Sequence, residues 1–109
     1  MVTEFKHIEG GTGQLASSEA SMYLCPARKR ATVEFIGLVN TDTSARTCNV
    51  YLKRKGGTSR YFLPKALSIA TGNAVHFDVN IKLATGDDIR GDASVASKVD
   101  YVVSGTEEG

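Results

Sequence analysis

The chain has 109 residues and a mass of 11.6 kDa, the size of a single domain. At this length folding removes about 60 to 70% of the unfolded surface from water, so one modest core forms without disulfides or metal. Thirteen Lys and Arg against twelve Asp and Glu leave a formal charge of +1, far from the strongly basic balance of a protein that coats nucleic acid. No apolar run approaches the about 20 residues of a membrane-spanning helix, and Met1-Val2-Thr3-Glu4-Phe5-Lys6 has no apolar leader core. A soluble protein made in the cytoplasm is expected, with neither membrane nor nucleic acid as partner. Ten Val, five Ile and ten Thr favour pleated strands over helices, and eleven Gly supply turns. Cys25 and Cys48 are too few for a disulfide framework; a bridge and two buried thiols both fit, the second being the commoner state in a cytosolic protein.

Met1 to Gly13 reads as an N-terminal arm, with Phe5 and Ile8 as its large apolar residues beyond Met1 and Val2 and Gly10-Gly11-Thr12-Gly13 as a flexible joint. Such a segment is either a frayed terminus or a strand that adds to a neighbouring subunit's sheet, with Phe5, His7 and Ile8 as its contact residues. Residues 14 to 105 form the body. Gln14 to Ser17 reads as a first strand and Ser21 to Cys25 as a second, stopped by Pro26 because proline donates nothing to a ladder. Arg28-Lys29 turns the chain into the longest strand, Arg30 to Asn40. Its apolar residues fall on both parities, Ala31, Val33, Phe35 and Val39 against Ile36 and Leu38, the pattern of a central strand partly covered on each face.

After the polar loop Thr41 to Ala45, Arg46 to Arg54 alternates, with Cys48, Val50 and Leu52 opposite Asn49, Tyr51 and Lys53, as in a half-buried strand. Gly56-Gly57 turns into Arg60 to Leu63, which Pro64 ends, and Lys65 to Ala70 reads as a strand or one helical turn. Ala74 to Val79 alternates again; Ile81-Lys82-Leu83 leads to the loop Thr85-Gly86-Asp87-Asp88 and on to Ile89 to Ala93, and Val99 to Ser104 is the last strand before a polar tail, 106 to 109. Seven or eight strands at intervals of about ten residues predict an antiparallel β-sandwich, specifically an eight-stranded jelly roll.

The chain carries little that points to a reaction. His7 and His76 are not at ligand spacing, and 22 residues separate the cysteines, so no zinc site is expected. Asp87, Asp88 and Asp92 are hard-cation ligands by type but lack EF-hand spacing, and acidic hairpin loops are common on surfaces. There is no G-x-S-x-G turn, and His76 sits where a solvent-facing histidine on a half-buried strand is expected. No glutamate lies between Glu34 and Glu107 to make a catalytic carboxylate pair. No catalytic residue, metal or cofactor is expected, and the protein reads as a non-enzyme. More informative are two basic runs at turns, Arg28-Lys29-Arg30 and Lys53-Arg54-Lys55. They suit docking on a charged protein surface, or they are solvated hairpin ends that discourage edge pairing.

The run Tyr23-Leu24-Cys25-Pro26-Ala27-Arg28-Lys29, then Val39-Asn40-Thr41 and Val50-Tyr51-Leu52, and then Leu83 to Arg90, Ala93 to Ala96 and Val99 to Gly105 resembles small proteins encoded among the virion structural genes of tailed bacteriophages. The resemblance spans about Tyr23 to Gly105 and leaves out the arm. It rests on turn and core positions and implies a β-sandwich subunit of the virus particle, either a capsid decoration (cement) protein or a head-to-tail or tail accessory protein. The implied location is the virion and the implied partners are the major capsid protein or other virion proteins, with a homotrimer as the expected oligomer. Arg28 stands where those proteins often carry Gly, so the partner of that loop does not follow from the resemblance. The alternative is a tail, baseplate or fibre accessory module that binds another virion protein or a host-surface glycan, for the last of which a chain with no Trp, four Tyr and four Phe has few aromatic platforms.

Overall fold

A computed structural model describes residues 5–109; Met1 to Glu4 of the expected arm, and the Phe5 side chain, lie outside the described residues. In chain order the strands are β1 (Phe5–His7), β2 (Thr12–Gln14), β3 (Ala20–Leu24), β4 (Arg30–Asn40), β5 (Arg46–Lys53), β6 (Arg60–Tyr61), β7 (Leu67–Ile69), β8 (Ala74–Leu83), β9 (Asp88–Ala93) and β10 (Val99–Glu108). Every described residue outside them lies in a turn, bend or loop.

The strands form two antiparallel five-stranded sheets packed face to face, the sandwich expected from the spacing. One has the order β1-β10-β4-β8, with β2 also on β10; the other has the order β3-β9-β5-β6, with β7 also on β5. The segment Lys65 to Ala70 resolves to a strand, since Leu67 to Ile69 pairs with Cys48 to Arg46. Two strands outrun their expected ends. β8 continues through Asn80 to Leu83 without losing its alternation, and β10 continues past Ser104 to Glu108.

That extension brings together the stretches read as an arm and as a polar tail. Phe5, Lys6 and His7 pair with Glu108, Glu107 and Thr106, and Thr12 to Gln14 pairs with Val102 to Asp100. Over the described residues the arm therefore lies on its own sheet. Ile8 is 6% exposed and donates its N–H to the Gly105 carbonyl at 3.0 Å. The buried Glu107 carboxylate accepts the Glu9 N–H at 3.2 Å.

The two parities of β4 have a local cause. Ala31 and Val33 are buried, then Ile36, Leu38 and Asn40, so the inward set switches from odd to even at Glu34. Pairing with β10 shifts register there, from Gly105↔Val33 to Ser104↔Phe35, and pairing with β8 shifts between Val33 and Phe35. This is a β-bulge, and it accounts for the apolar residues on both parities. β4 is central in its sheet and its second face is partly covered: Phe35 is half-buried there, stacked on His76 with ring centroids 5.7 Å apart, while Val39 is exposed. Gly105 permits the bulge, since a Cβ at that position would lie 1.9 Å from the Thr32 carbonyl oxygen.

The core between the sheets is built on Val33, Ile36, Leu38, Ile89 and Val99, all at 0% exposure. Burial of each such side chain contributes about 1.5–3 kcal/mol. Asn40, also fully buried, is a polar staple: its Nδ2 donates to the carbonyls of Ser44 and Ile69, both at 2.9 Å, and its Oδ1 accepts from the Asp42 N–H. Because Ile69 belongs to β7, the staple ties one sheet to the other. Cys25 and Cys48 are buried free thiols; burial and then the charge of Asp92 push the Cys48 thiol up to about 11. If the first strand belongs to the domain, Ile8→Ala should lower stability by about 3 kcal/mol in urea unfolding, whereas a detached arm would leave the midpoint unchanged.

Candidate functional site

The two basic runs meet at one end of the sandwich, and the turn between β8 and β9 brings them there. Asp87 in that turn is buried. Its Oδ1 accepts the Lys55 N–H at 3.0 Å. Its Oδ2 accepts Arg54 Nη1 at 2.8 Å and the Ala84 N–H at 2.9 Å. Arg54 Nη1 also donates to the Lys82 carbonyl at 2.7 Å. On the other side, Cys25 N–H donates to the Asp87 carbonyl and Gly86 N–H to the Cys25 carbonyl. The Thr85 hydroxyl lies 2.8 Å from the Lys29 carbonyl and 3.2 Å from that of Pro26. One turn thus holds the loop after β3 and the loop after β5, with the end of β8 alongside.

Five of the six basic residues gather here. Arg30 opens β4 opposite Glu108, and their side chains form an ion pair at 2.5 Å. Arg30 and Arg54, with Thr32, Glu34, Lys82 and Glu108, line an open depression of about 630 Å³. The Lys55 stem packs over Gly86, and Lys29 lies beside Gly109. Arg28, Lys29 and Lys55 form no ion pair among the described residues. Lys53 is not part of this group: it faces Asp88 on the neighbouring strand, on the outer side of the second sheet. Nor are two of the residues proposed on the arm, since Ile8 is in the core and His7, exposed, lies opposite Thr106; the third, Phe5, pairs with Glu108 along the backbone and its side chain lies outside the described residues.

The three aspartates read as one acidic loop are dispersed. Asp87 is turned between the sheets, Asp88 binds the Ser21 hydroxyl at 2.6 Å and Arg90 at 2.8 Å, and Asp92 binds Asn49 at 2.9 Å and the Tyr51 hydroxyl at 2.6 Å. Glu19 extends this outer network, accepting from Arg90 at 2.7 Å and Ser59 at 2.6 Å. The Ser59 hydrogen bond, followed by the Arg90 contacts, outweighs its desolvation and holds its carboxyl below the ordinary range. For Asp87, burial alone would raise the carboxyl, but the Lys55 and Ala84 N–H groups and the Arg54 guanidinium together hold it below the usual value of 3.8. Asp87 and Thr85, the residues that assemble the basic end, were not legible as such in sequence. The signal available was a Gly flanked by Thr and Asp in a turn, which sidechain-to-backbone bonding favours.

Arg28 adopts a left-handed backbone, φ 63°, a conformation that glycine takes without strain. A non-glycine side chain there costs about 1–2 kcal/mol.

No protein-family model matches the chain, and no curated protein matches it by sequence. Among solved structures, a chain of the T13 particle of infectious bursal disease virus is similar, with TM-score 0.54 and 7% identity over 97% of this chain and 31% of that one. A chain of the Gx strain of the same virus gives TM-score 0.46 and 10% identity over 99% and 33%. One of its VP2 subviral particle gives 0.41 and 11% over 97% and 32%. The chain spans about a third of the length of these viral chains, and the first likeness shows a shared fold.

Two outcomes follow from the geometry of this end. A carboxyl depressed in the folded state stabilises above its unfolded pKa, and that contribution is lost as pH falls through the folded value. Stability should therefore fall as pH drops below about 4, and Asp87→Asn should be less stable than the parent at pH 7 with a flatter acid limb in pH-dependent urea unfolding. Arg28→Gly should raise stability by about 1 kcal/mol in the same assay.

Proposed function

We propose that the chain is a non-enzymatic structural protein of the virion, specifically a capsid decoration (cement) protein of a tailed bacteriophage that binds the head shell as an oligomer. The observation that carries this reading is the basic end: residues from two runs about 25 apart in sequence are pinned to one turn, and Arg28, Lys29 and Lys55 are left without acidic partners among the described residues. Two rigid loops that present cations side by side fit an acidic surface on a shell subunit, because such patches steer encounter and fix orientation. A fold shared with part of a viral particle chain supports the same class of role. The strand orders β2-β10-β4-β8 and β3-β9-β5-β6 support a jelly roll as the specific sandwich type, with the chain passing back and forth between sheets.

Attachment at many equivalent sites lets a small domain hold a shell through individually weak contacts. The homotrimer expected from sequence is one way to achieve this; the contact inferred below joins copies in pairs. The alternative, a tail or fibre module for a host-surface glycan, draws on Tyr61, 46% exposed and packed against Tyr51 at 4.8 Å between centroids.

Co-sedimentation of the purified chain with emptied head shells and with purified tails of the phage that encodes it tests the reading. Saturable binding to shells at a fixed ratio is expected. It should weaken at least about tenfold when Arg28, Lys29 and Lys55 are all changed to Glu, and weaken with added salt. Recovery with tails alone would move the role to the tail module, and recovery with neither would overturn a virion role.

A further inference from the structure

An exposed sheet edge is a row of unused N–H and C=O groups, and proteins normally shorten it, place a proline or inward charge on it, or cover it. The edge and near-edge strands here are short, β1, β2 and β7 at three residues, β6 at two and β3 at five, with one exception. β8 is ten residues long and pairs on one side with β4, ending its sheet. It contains no proline, and its inward side chains are all apolar: Val75, Phe77, Val79, Ile81 and Leu83. The first four are only half-buried, so the edge leaves both a hydrogen-bonding ladder and an apolar row incompletely covered. Among its carbonyls, that of Lys82 accepts the Arg54 side chain and has a second lone pair free.

We infer that the free edge of β8 docks a second copy of this chain, strand to strand and antiparallel, about a two-fold axis at Asn80. The register follows from charge. With the axis at Asn80, Asp78 of each copy lies opposite Lys82 of the other, giving two ion pairs on the outer face. On the inner face the same register sets Val79 against Ile81 and Phe77 against Leu83, apolar pairs of the kind that stabilise adjacent strands. An axis at Asp78 would instead oppose two carboxylates, and one at Val79 would set His76 against Lys82. Asp78 and Lys82 are exposed, and the Lys82 ammonium donates to the Thr32 hydroxyl at 3.3 Å. Such a contact is isologous and self-limiting, and it merges the two β8-bearing sheets into one continuous sheet by strand addition.

This contact does not rest on the virion reading, since it is measured on the purified chain with no particle present. Sedimentation equilibrium and light scattering over a concentration series should find twice the 11.6 kDa chain mass. Asp78→Lys, which opposes like charges twice, should raise the dimer dissociation constant about tenfold, and so should Lys82→Asp. The double swap Asp78→Lys/Lys82→Asp should restore it, because only a register that sets 78 against 82 of the partner regains both pairs. Asn80→Pro, which removes a ladder donor at the axis, should give a monomer with unchanged circular dichroism. A chain that is monomeric at all concentrations would overturn the inference. So would an oligomer of any size indifferent to the single reversals, or a double swap that fails to rescue.

Discussion

The geometry of the whole sandwich depends on one constraint in β4: its two halves must bury side chains of opposite parity against the same core. A regular strand cannot do this, because successive side chains alternate faces. The bulge at Glu34 inserts the residue that resets the alternation, so that Ala31 and Val33 point inward on one side of it and Ile36 and Leu38 on the other. The close approach of the Thr32 carbonyl to Gly105 makes this a backbone requirement met by two strands together. It aligns β10 along the full length of β4, and the distal half of β10 then becomes the seat of β1.

At one end of this frame a single carboxylate organises the chemistry. Asp87 draws donors from both sheets, and the loops it holds carry Arg28, Lys29, Arg54 and Lys55. Buried, multiply bonded carboxylates of this kind are structural anchors whose removal leaves donors unsatisfied, while Arg28, Lys29 and Lys55 beside it have no ion-pair partner among the described residues. Arg28 sharpens the contrast. It occupies a backbone conformation suited to glycine and adds a charge at the tip of the loop, so local stability is given up where the surface becomes more basic. At the other end, Asn40 stitches β4 to β7 with no charge at all, and on the outer side of the second sheet cations such as Arg90 are neutralised by Glu19 and Asp88.

Some of this was legible along the chain. The bounds of β4, the alternation in β5 and β8, the stop at Pro26 and the turn at Gly56-Gly57 all follow from local rules: proline lacks a donor, glycine tolerates positive φ, and a half-buried strand alternates. The two basic runs were legible as runs. The ends of β8 and β10 were not, because polar residues such as Asn80 and Thr106 read as loop signals until a partner strand supplies their ladder bonds. The arm was misjudged for the same reason: Ile8 is a lone apolar residue in a glycine-rich stretch, and only the groove beside Gly105 gives it a place to be buried. The apolar residues on both parities of β4 were seen, but two-sided burial and a bulge produce the same local pattern.

The sequence by itself determined an all-β chain with its turns, most of its strands and its pairs of charged loops, because these depend on side-chain branching, donor count and period-two patterning over a few neighbours. The tertiary structure alone decided which strands are neighbours, that residues 5 to 14 close onto β10, that Asp87 gathers the basic loops at one end, and that β8 is left as an open edge. Those features rest on contacts between residues some 30 to 100 positions apart. Whether such a contact forms depends on where the packed core leaves space, and no local pattern encodes that.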